Sequence, residues 1–158
     1  MYFKAKYASP IGELTLAGEG NALAGLWIEG QKYFGAGLEL RAGSAPIFAR
    51  TKDWLDRYFA GKCPDPSELS LAPVGTAFQR AVWAQLCGIP YGETTTYGEI
   101  ARQLQTSARA VGSAVGHNPI SIIVPCHRVM GMAGSLTGYA GGVERKRWLL
   151  IHESIVIK

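Results

Sequence analysis

A cluster of prolines divides this chain. Between Cys63 and Gly75 stand Pro64, Pro66 and Pro73, three prolines in thirteen residues. Proline has no amide hydrogen and its ring clashes with the preceding turn, so no regular helix can cross this stretch. The sequence follows different periods on its two sides. Before it, Tyr2 to Tyr7 alternates loosely, Ser9-Pro10-Ile11-Gly12 signals a turn, and Glu13-Leu14-Thr15-Leu16 alternates with period two. A second turn, Gly18-Glu19-Gly20-Asn21, precedes the apolar run Ala22 to Ile28. Short strands joined by short turns predict an antiparallel three-stranded meander. Residues 29–46 are Gly-rich and low in pattern, and read mostly as loop. Ile47, Phe48, Trp54, Leu55, Tyr58 and Phe59 then suit one helix face, and Gly61 ends it.

After the prolines the pattern is helical. Thr76 and Gln79 form a capping box, followed by Phe78, Val82 and Leu86 at helical spacing, with Gly88 and Pro90 as the stop. Thr96 and Glu99 read as a second capping box, opening a short helix over Tyr97, Ile100, Ala101 and Leu104. Gln105-Thr106 is a tight turn, and Ser107 caps a third helix from Ala108 to about His117. Two short helices joined this way form a helix-turn-helix unit. Asn118-Pro119 breaks the third helix. Ile122-Ile123-Val124 reads as a buried strand or extended run that delivers Pro125-Cys126-His127-Arg128-Val129. A Gly-rich loop runs from Gly131 to Gly142. A last helix spans about Val143 to His152, with Trp148, Leu149 and Leu150 inward and Arg145, Lys146 and Arg147 largely outward. The expected architecture is an α/β N-terminal domain, residues 1–74, with a three-stranded antiparallel sheet plus helix. A mainly α C-terminal domain follows over residues 75–158, with a winged-helix-like helix-turn-helix.

Charge follows the same division. Of the formal +4, residues 1–74 contribute nothing, with eight Lys/Arg against eight Asp/Glu, whereas residues 75–158 hold eight against four. A one-sided basic balance suits an anionic partner, nucleic acid first, and suits plain solubility equally. No apolar run nears the ~20 residues that span a bilayer, and no signal peptide is visible, so no membrane partner is expected. Cys63, Cys87 and Cys126 are odd in number and form no CxxC, and His117, His127 and His152 form no HxxxH. A reducing cytoplasm without a disulfide framework or zinc site is expected.

Cys126 is the strongest nucleophile candidate. Cationic neighbours stabilise the reactive thiolate, and polar residues follow it as at the mouth of a site. The alternative is a small buried hydrophobe, and Cys63 and Cys87 read as structural in that way. His127 adjoins Cys126, but on an extended backbone successive side chains point to opposite faces, so a relay needs a turn or a water. Glu153 either orients that imidazole or is a solvated helix end. The third helix is nearly bare: Ala108, Ala110, Gly112, Ser113, Ala114 and Gly116 surround a single long side chain, Arg109. Gly and Ser weaken a helix, so close approach to a partner or tight internal packing must explain them. An isolated Arg there can fill a gap in a base stack or stand in solvent.

Taken together, these motifs resemble the O6-alkylguanine-DNA alkyltransferases, the methylated-DNA–protein-cysteine methyltransferases. Pro125 to Val129 reads as their PCHRV signature. Thr76 to Leu86, Ile89-Pro90-Tyr91-Gly92, Thr96-Tyr97, Ala108 to Gly112, Asn118-Pro119, Gly138 to Gly142, Lys146 and Trp148 to Glu153 follow the family pattern in order. The resemblance covers about half the chain closely, and Ser9 to Gly12, Tyr58-Phe59 and Gly61 more weakly.

The resemblance implies that Cys126 accepts the alkyl group. His127, acting through a water, and Glu153 would keep it a thiolate. Asn118 would hold the turn before the active segment. Tyr97 would help flip the nucleotide and protonate the leaving guanine, and Arg109 would replace the flipped base. Ala108, Ala110, Gly112, Ser113, Arg128 and Lys146 would join the DNA surface, and Val129, Tyr139 and Ala140 would line the base pocket. It further implies a monomer, cytoplasmic and nucleoid-associated if prokaryotic, that binds double-stranded DNA through the minor groove, needs no cofactor or metal, and repairs O6-alkylguanine and, as an extension, O4-alkylthymine. Two departures stand out. The chain is about two residues shorter than the commoner spacing between Tyr97 and Arg109, which shortens the helix-turn-helix turn, and it lacks the zinc ligands of some N-terminal domains. A damage-binding module without transfer and a cysteine hydrolase are the other classes that fit part of this pattern.

Overall fold

The structure is a computed structural model that describes residues 2–136 and 139–155. Two compact units share the chain: residues 1–74 with 119–121, and residues 75–118 with 122–158.

The first unit is a sheet carrying one helix. Strands β1 (Tyr2–Ser9), β2 (Gly12–Glu19) and β3 (Ala22–Ile28) form the expected antiparallel meander. A fourth strand, β4 (Leu40–Ala42), adds to the edge of β1 in parallel, giving the order β3-β2-β1-β4. The expectation of three strands, with 29–46 as loop, is corrected here. Three residues are too few to display a period of two, so β4 left no sequence signal. Helix α1 (Pro46–Phe59) packs Ile47, Phe48, Trp54, Leu55 and Tyr58 against buried Leu14, Leu16, Leu26 and Ile28. The apolar stripe therefore closes one core, each large side chain contributing about 1.5–3 kcal/mol by leaving water.

The proline-rich stretch is ordered rather than a loose linker. Asp65 caps a 3₁₀ turn over Pro66–Glu68, and its carbonyl accepts the Trp54 indole N–H at 2.9 Å. Leu23 of β3 donates to Ser70 O at 2.9 Å and accepts from Ala72 N at 2.8 Å. Pro119–Ser121 lies along the same strand, with Leu26 N donating to Pro119 O at 2.8 Å and Ser121 N to Leu26 O at 2.9 Å.

The second unit is helical, with α2 (Ala77–Cys87), α3 (Tyr97–Leu104), α4 (Ala108–Gly116) and α5 (Val143–His152). A two-residue parallel ladder joins β5 (Thr95–Thr96) to β6 (Val129–Met130). The Thr76–Gln79 box caps α2 in both directions. At α3 only half of the expected box forms. Thr96 accepts from Glu99 N, but the Glu99 carboxylate turns to the Arg102 guanidinium at 2.6 Å, a stronger charged partner. The turn between α3 and α4 is closed by Gln105 in the left-handed region, φ 56°, with Thr106 N reaching back to Ala101 O at 2.9 Å. Ser107 then caps α4 by accepting from Ala110 N. The inward face of α4 is Val111, Ala114 and Val115, and the Trp83 indole of α2 donates to Ala114 O at 2.8 Å. Gly75 is required beside that indole, because a Cβ there would lie 2.4 Å from the Trp83 ring.

Candidate functional site

Ile122 to Val124 is neither strand nor extended run. It is a buried turn with Ile122 at φ 72°. A β-branched residue in the left-handed region is strained by roughly 1–3 kcal/mol, and such strain persists only where the surroundings fix it. Buried Asn118 supplies part of that fixing by donating Nδ2 to Val124 O at 2.9 Å. The chain then turns sharply at Pro125, φ −81° and ψ 66°, where Cys126 N donates to Val124 O at 2.8 Å, an inverse γ-turn. Cys126, His127 and Arg128 form a single 3₁₀ turn, closed by Val129 N donating to Cys126 O. At three residues per turn, successive side chains fan out instead of alternating between two faces. This supplies the turn that a Cys126–His127 relay needs.

Cys126 is 3% exposed. Burial pushes its thiol up to about 11, against the opposing pull of the Asn118 hydrogen bond, the Lys146 charge and nearby backbone N–H groups. Burial thus opposes the thiolate, and the groups around the sulfur favour it. His127 is fully buried, and its Nε2 lies 2.6 Å from Glu153 Oε2. Burial pulls its pKa down, against the opposing pull of Glu153. A neutral ring donates Nε2–H to the carboxylate, which leaves the Nδ1 lone pair to act as a base. Nδ1 is buried and makes no hydrogen bond among the described residues. Burial raises the Glu153 carboxyl, but hydrogen bonds and charge from His127 and Arg128 outweigh it and hold it at about 2. Glu153 is not a solvated helix end.

Two basic residues expected on the DNA surface are buried instead. Arg128 is 5% exposed, donates Nε to Glu153 Oε1 at 2.7 Å and Nη1 to Ile89 O at 2.7 Å, and lies 5.7 Å from the Tyr91 ring centre. Lys146 is fully buried, donates Nζ to Val129 O at 2.6 Å, and lies 6.0 Å from the centre of the Tyr97 ring. Burial lowers its ammonium to about 8, with Cys126 opposing that shift. Local patterning turns Lys146 outward, and charged residues are rarely buried unless paired. Their partners lie far away in sequence, where no local pattern shows them. The α5 residue Trp148 is only half-buried and stacks on His152 at 4.9 Å.

Tyr97 opens α3, half-buried, and its phenol is pushed up to about 12 by burial and then by Cys126. It is a neutral acid at physiological pH. On α4, Ala108, Arg109 and Ser113 are exposed, and Ala110 and Gly112 are half-exposed. A methyl group at Gly112 would meet only Tyr97, at 3.9 Å, and at Gly116 nothing within 4 Å. Internal packing therefore does not by itself require glycine at these two positions. Val129 and Tyr139 are buried and Ala140 is half-buried, while Gly138 lies outside the described residues.

Residues 77–155 match the DNA-binding domain of 6-O-methylguanine DNA methyltransferase, and residues 2–73 match its ribonuclease-like domain. The chain belongs to the O6-methylguanine DNA methyltransferase family. It is 51% identical over 144 residues to the methylated-DNA–protein-cysteine methyltransferase of Mycobacterium tuberculosis, covering 90% of this chain and 86% of the relative. The Haemophilus influenzae protein of the same name is 42% identical over 151 residues, 94% of this chain and 84% of the relative. Among solved structures, Mycobacterium tuberculosis OGT in complex with DNA superposes with a TM-score of 0.85 at 48% identity, covering 96% of this chain and 91% of that one. The alkyltransferase fold is thus a ribonuclease-like α/β domain followed by a helical DNA-binding domain. Among the described residues no helix is long and apolar enough to cross a membrane, and no group of three or more His, Cys, Asp or Glu could hold a metal ion.

Proposed function

We propose that this chain repairs DNA by direct reversal, moving the alkyl group of O6-alkylguanine to Cys126 in one irreversible step. The observation that carries this reading is the buried thiol on the same 3₁₀ turn as an imidazole paired to a carboxylate at 2.6 Å, in a chain of this family.

The target carbon lies inside a stacked duplex, so the base must be flipped out, at a cost of a few kcal/mol. The bare face of α4, with Ala108, Ala110, Gly112 and Ser113, approaches the minor groove, and Arg109 enters the stack in place of the flipped guanine. Val129, Tyr139 and Ala140 line the pocket for that base. His127 Nδ1 takes the thiol proton through one water, and Glu153 stabilises the imidazolium that results. The sulfur then attacks the saturated carbon: the S–C bond forms, the C–O6 bond breaks, and Tyr97 gives a proton to guanine N3 as it leaves. Asn118 holds the sulfur and the strained turn in register. The product thioether has no easy hydrolysis, so each molecule acts once.

Residues 75–158 act as the DNA-facing reactive domain and residues 1–74 as its support. The protein acts as a monomer in a reducing cytoplasm, and O4-alkylthymine is a secondary substrate. Titrating the protein with excess duplex carrying radiolabelled O6-methylguanine tests the single turnover. Transfer should stop at one equivalent; continued release of label as methanol would instead identify a hydrolase, and unchanged damaged DNA a binding module.

A further inference from the structure

The strap Pro119–Ser121 along the outer edge of β3 ends abruptly. Leu26 N donates to Pro119 O at 2.8 Å and Ser121 N to Leu26 O at 2.9 Å, the two bonds of a parallel bridge between Leu26 and Ile120. In a parallel ladder the next rung comes two residues on, so Ile28 N would donate to Ser121 O. A side chain takes that bond instead: Ile28 N donates to Gln31 Oε1 at 2.7 Å. The same oxygen accepts the Ser121 hydroxyl at 3.2 Å. Gln31 is 6% exposed and Ser121 1%, so both bonds form away from water. The transfer chemistry above uses neither residue.

An amide oxygen has two lone pairs, and here an N–H and a hydroxyl fill both. The Gln31 amide nitrogen donates to Lys32 O at 3.4 Å. A satisfied buried polar network specifies one arrangement. The arrangement matters because Ile122 follows Ser121 directly, at φ 72°, and Cys126 stands four residues further on. A continuing ladder would hold Ile122 extended. Ending it at Ser121 frees the chain to turn, and the hydroxyl bond fixes the point where the turn begins. Strain of this kind persists only where both sides are held. Asn118 holds the far side through Val124 O, and Gln31 holds the near side through Ser121.

We infer that Gln31 is a positioning residue for alkyl transfer, ending the strap and pinning Ser121 so that the Cys126 turn starts from a fixed place. This rests on the reading of Cys126 as the acceptor. Gln31 acts through Ser121 and the backbone of the turn. Displacement of the sulfur by about 1 Å is enough to slow an in-line attack by up to about a hundredfold.

Single-turnover methyl transfer at saturating duplex separates positioning from packing. Its amplitude counts folded molecules, and its rate constant reports how those molecules react. Gln31→Met keeps the length of the side chain and removes the acceptor. It should lower the rate constant about tenfold, with the amplitude near one equivalent and duplex affinity unchanged. Adding Ser121→Ala should cost little more, because both changes break one clamp. A lower amplitude or melting temperature with an unchanged rate constant would reduce Gln31 to a packing role and overturn the inference.

Hydrogen exchange read by mass spectrometry provides a second measurement that needs no DNA. Gln31→Met should speed exchange about tenfold in peptides spanning residues 120–129 and leave the β1–β2 amides unchanged. No change in that segment, or an equal rise everywhere, would overturn the inference. Where Gln31→Met does not fold, Ser121→Ala keeps the Ile28 bond and removes only the clamp. It should show both effects at smaller size, and wild-type behaviour in both would count equally against the inference. Failure of the proposed function gives a different pattern: wild type transfers no methyl group while the exchange difference persists.

Discussion

Each unit contains an arginine–carboxylate pair, and the two have nearly the same length. Arg57 meets Glu68 at 2.8 Å, with side chains 37% and 41% exposed. Arg128 meets Glu153 at 2.7 Å, with side chains 6% and 0% exposed. Water competes with the first pair and is excluded from the second, so equal geometry has unequal consequences. An exposed pair contributes little, because screening and side-chain entropy offset its attraction. A buried pair also gains little net stability over an apolar replacement, but removing one partner strands the other charge. Arg128 therefore fixes Glu153 more than it stabilises the fold, and the carboxylate it fixes is the one that holds His127. The comparison also changes how the basic half is read: of its cations, Arg128 and Lys146 are buried and only surface residues such as Arg109 can meet phosphate or bases.

The sharpest way to break this comparison is to neutralise each carboxylate in turn. Glu153→Gln should cost about 3–5 kcal/mol in urea unfolding by leaving Arg128 uncompensated, and should slow alkyl transfer, whereas Glu68→Gln should leave the unfolding midpoint close to wild type. Equal effects would mean that burial does not separate the two pairs.

Acid should separate them again. The folded Glu153 carboxyl is held at about 2, below its unfolded value near 4.3. Its stabilising contribution is thus complete above that unfolded value and is lost as pH falls toward the folded one. His127 is also depressed on folding, so stability is lost in the same direction as pH falls through its unfolded value near 6.5. Thermal unfolding from about pH 7 to 3 should fall steeply in wild type and be flatter in the lower part of that window for Glu153→Gln. A Glu68→Gln curve that flattened just as much would refute the assignment.

A third test concerns the cation left outside. Arg109→Ala should reduce transfer from duplex DNA by about tenfold or more, since stack filling offsets a flipping cost of a few kcal/mol. It should act nearly normally on a free benzylated guanine base; matching losses would remove the stack-filling role. The smallest expected effect is on the salt dependence of duplex binding. Lys146→Met should leave the slope of log affinity against log salt unchanged, while losing a surface cation that meets phosphate lowers it by about one.

Most of the fold was legible because it is written locally. Thr76, Ser107 and Gly61 mark helix ends by their own hydrogen bonds or backbone freedom, and Gly12 and Gly20 mark turns, each within a few residues. Most of the misses depend on distant partners. β4 exists only through its pairing with β1. Glu99 was placed by its spacing from Thr96, but Arg102 captured it. Arg128 and Lys146 look solvated until Glu153 and Val129 O are brought to them, twenty-five and seventeen residues away. Cys126 stands out by its neighbours in sequence, whereas its burial does not, because burial is a property of the folded unit. Strain at Ile122 had no signal in residue type, since an isoleucine is the least expected residue in that backbone region.

The central claim is that one sulfur takes one alkyl group. Intact-mass measurement after incubation with an O6-methylguanine oligonucleotide tests it directly. The account predicts a single added methyl group, mapped to Cys126 and absent in Cys126→Ser; an unchanged mass with the Cys126 thiol intact, or a methyl group mapped to Cys63 or Cys87, would contradict it.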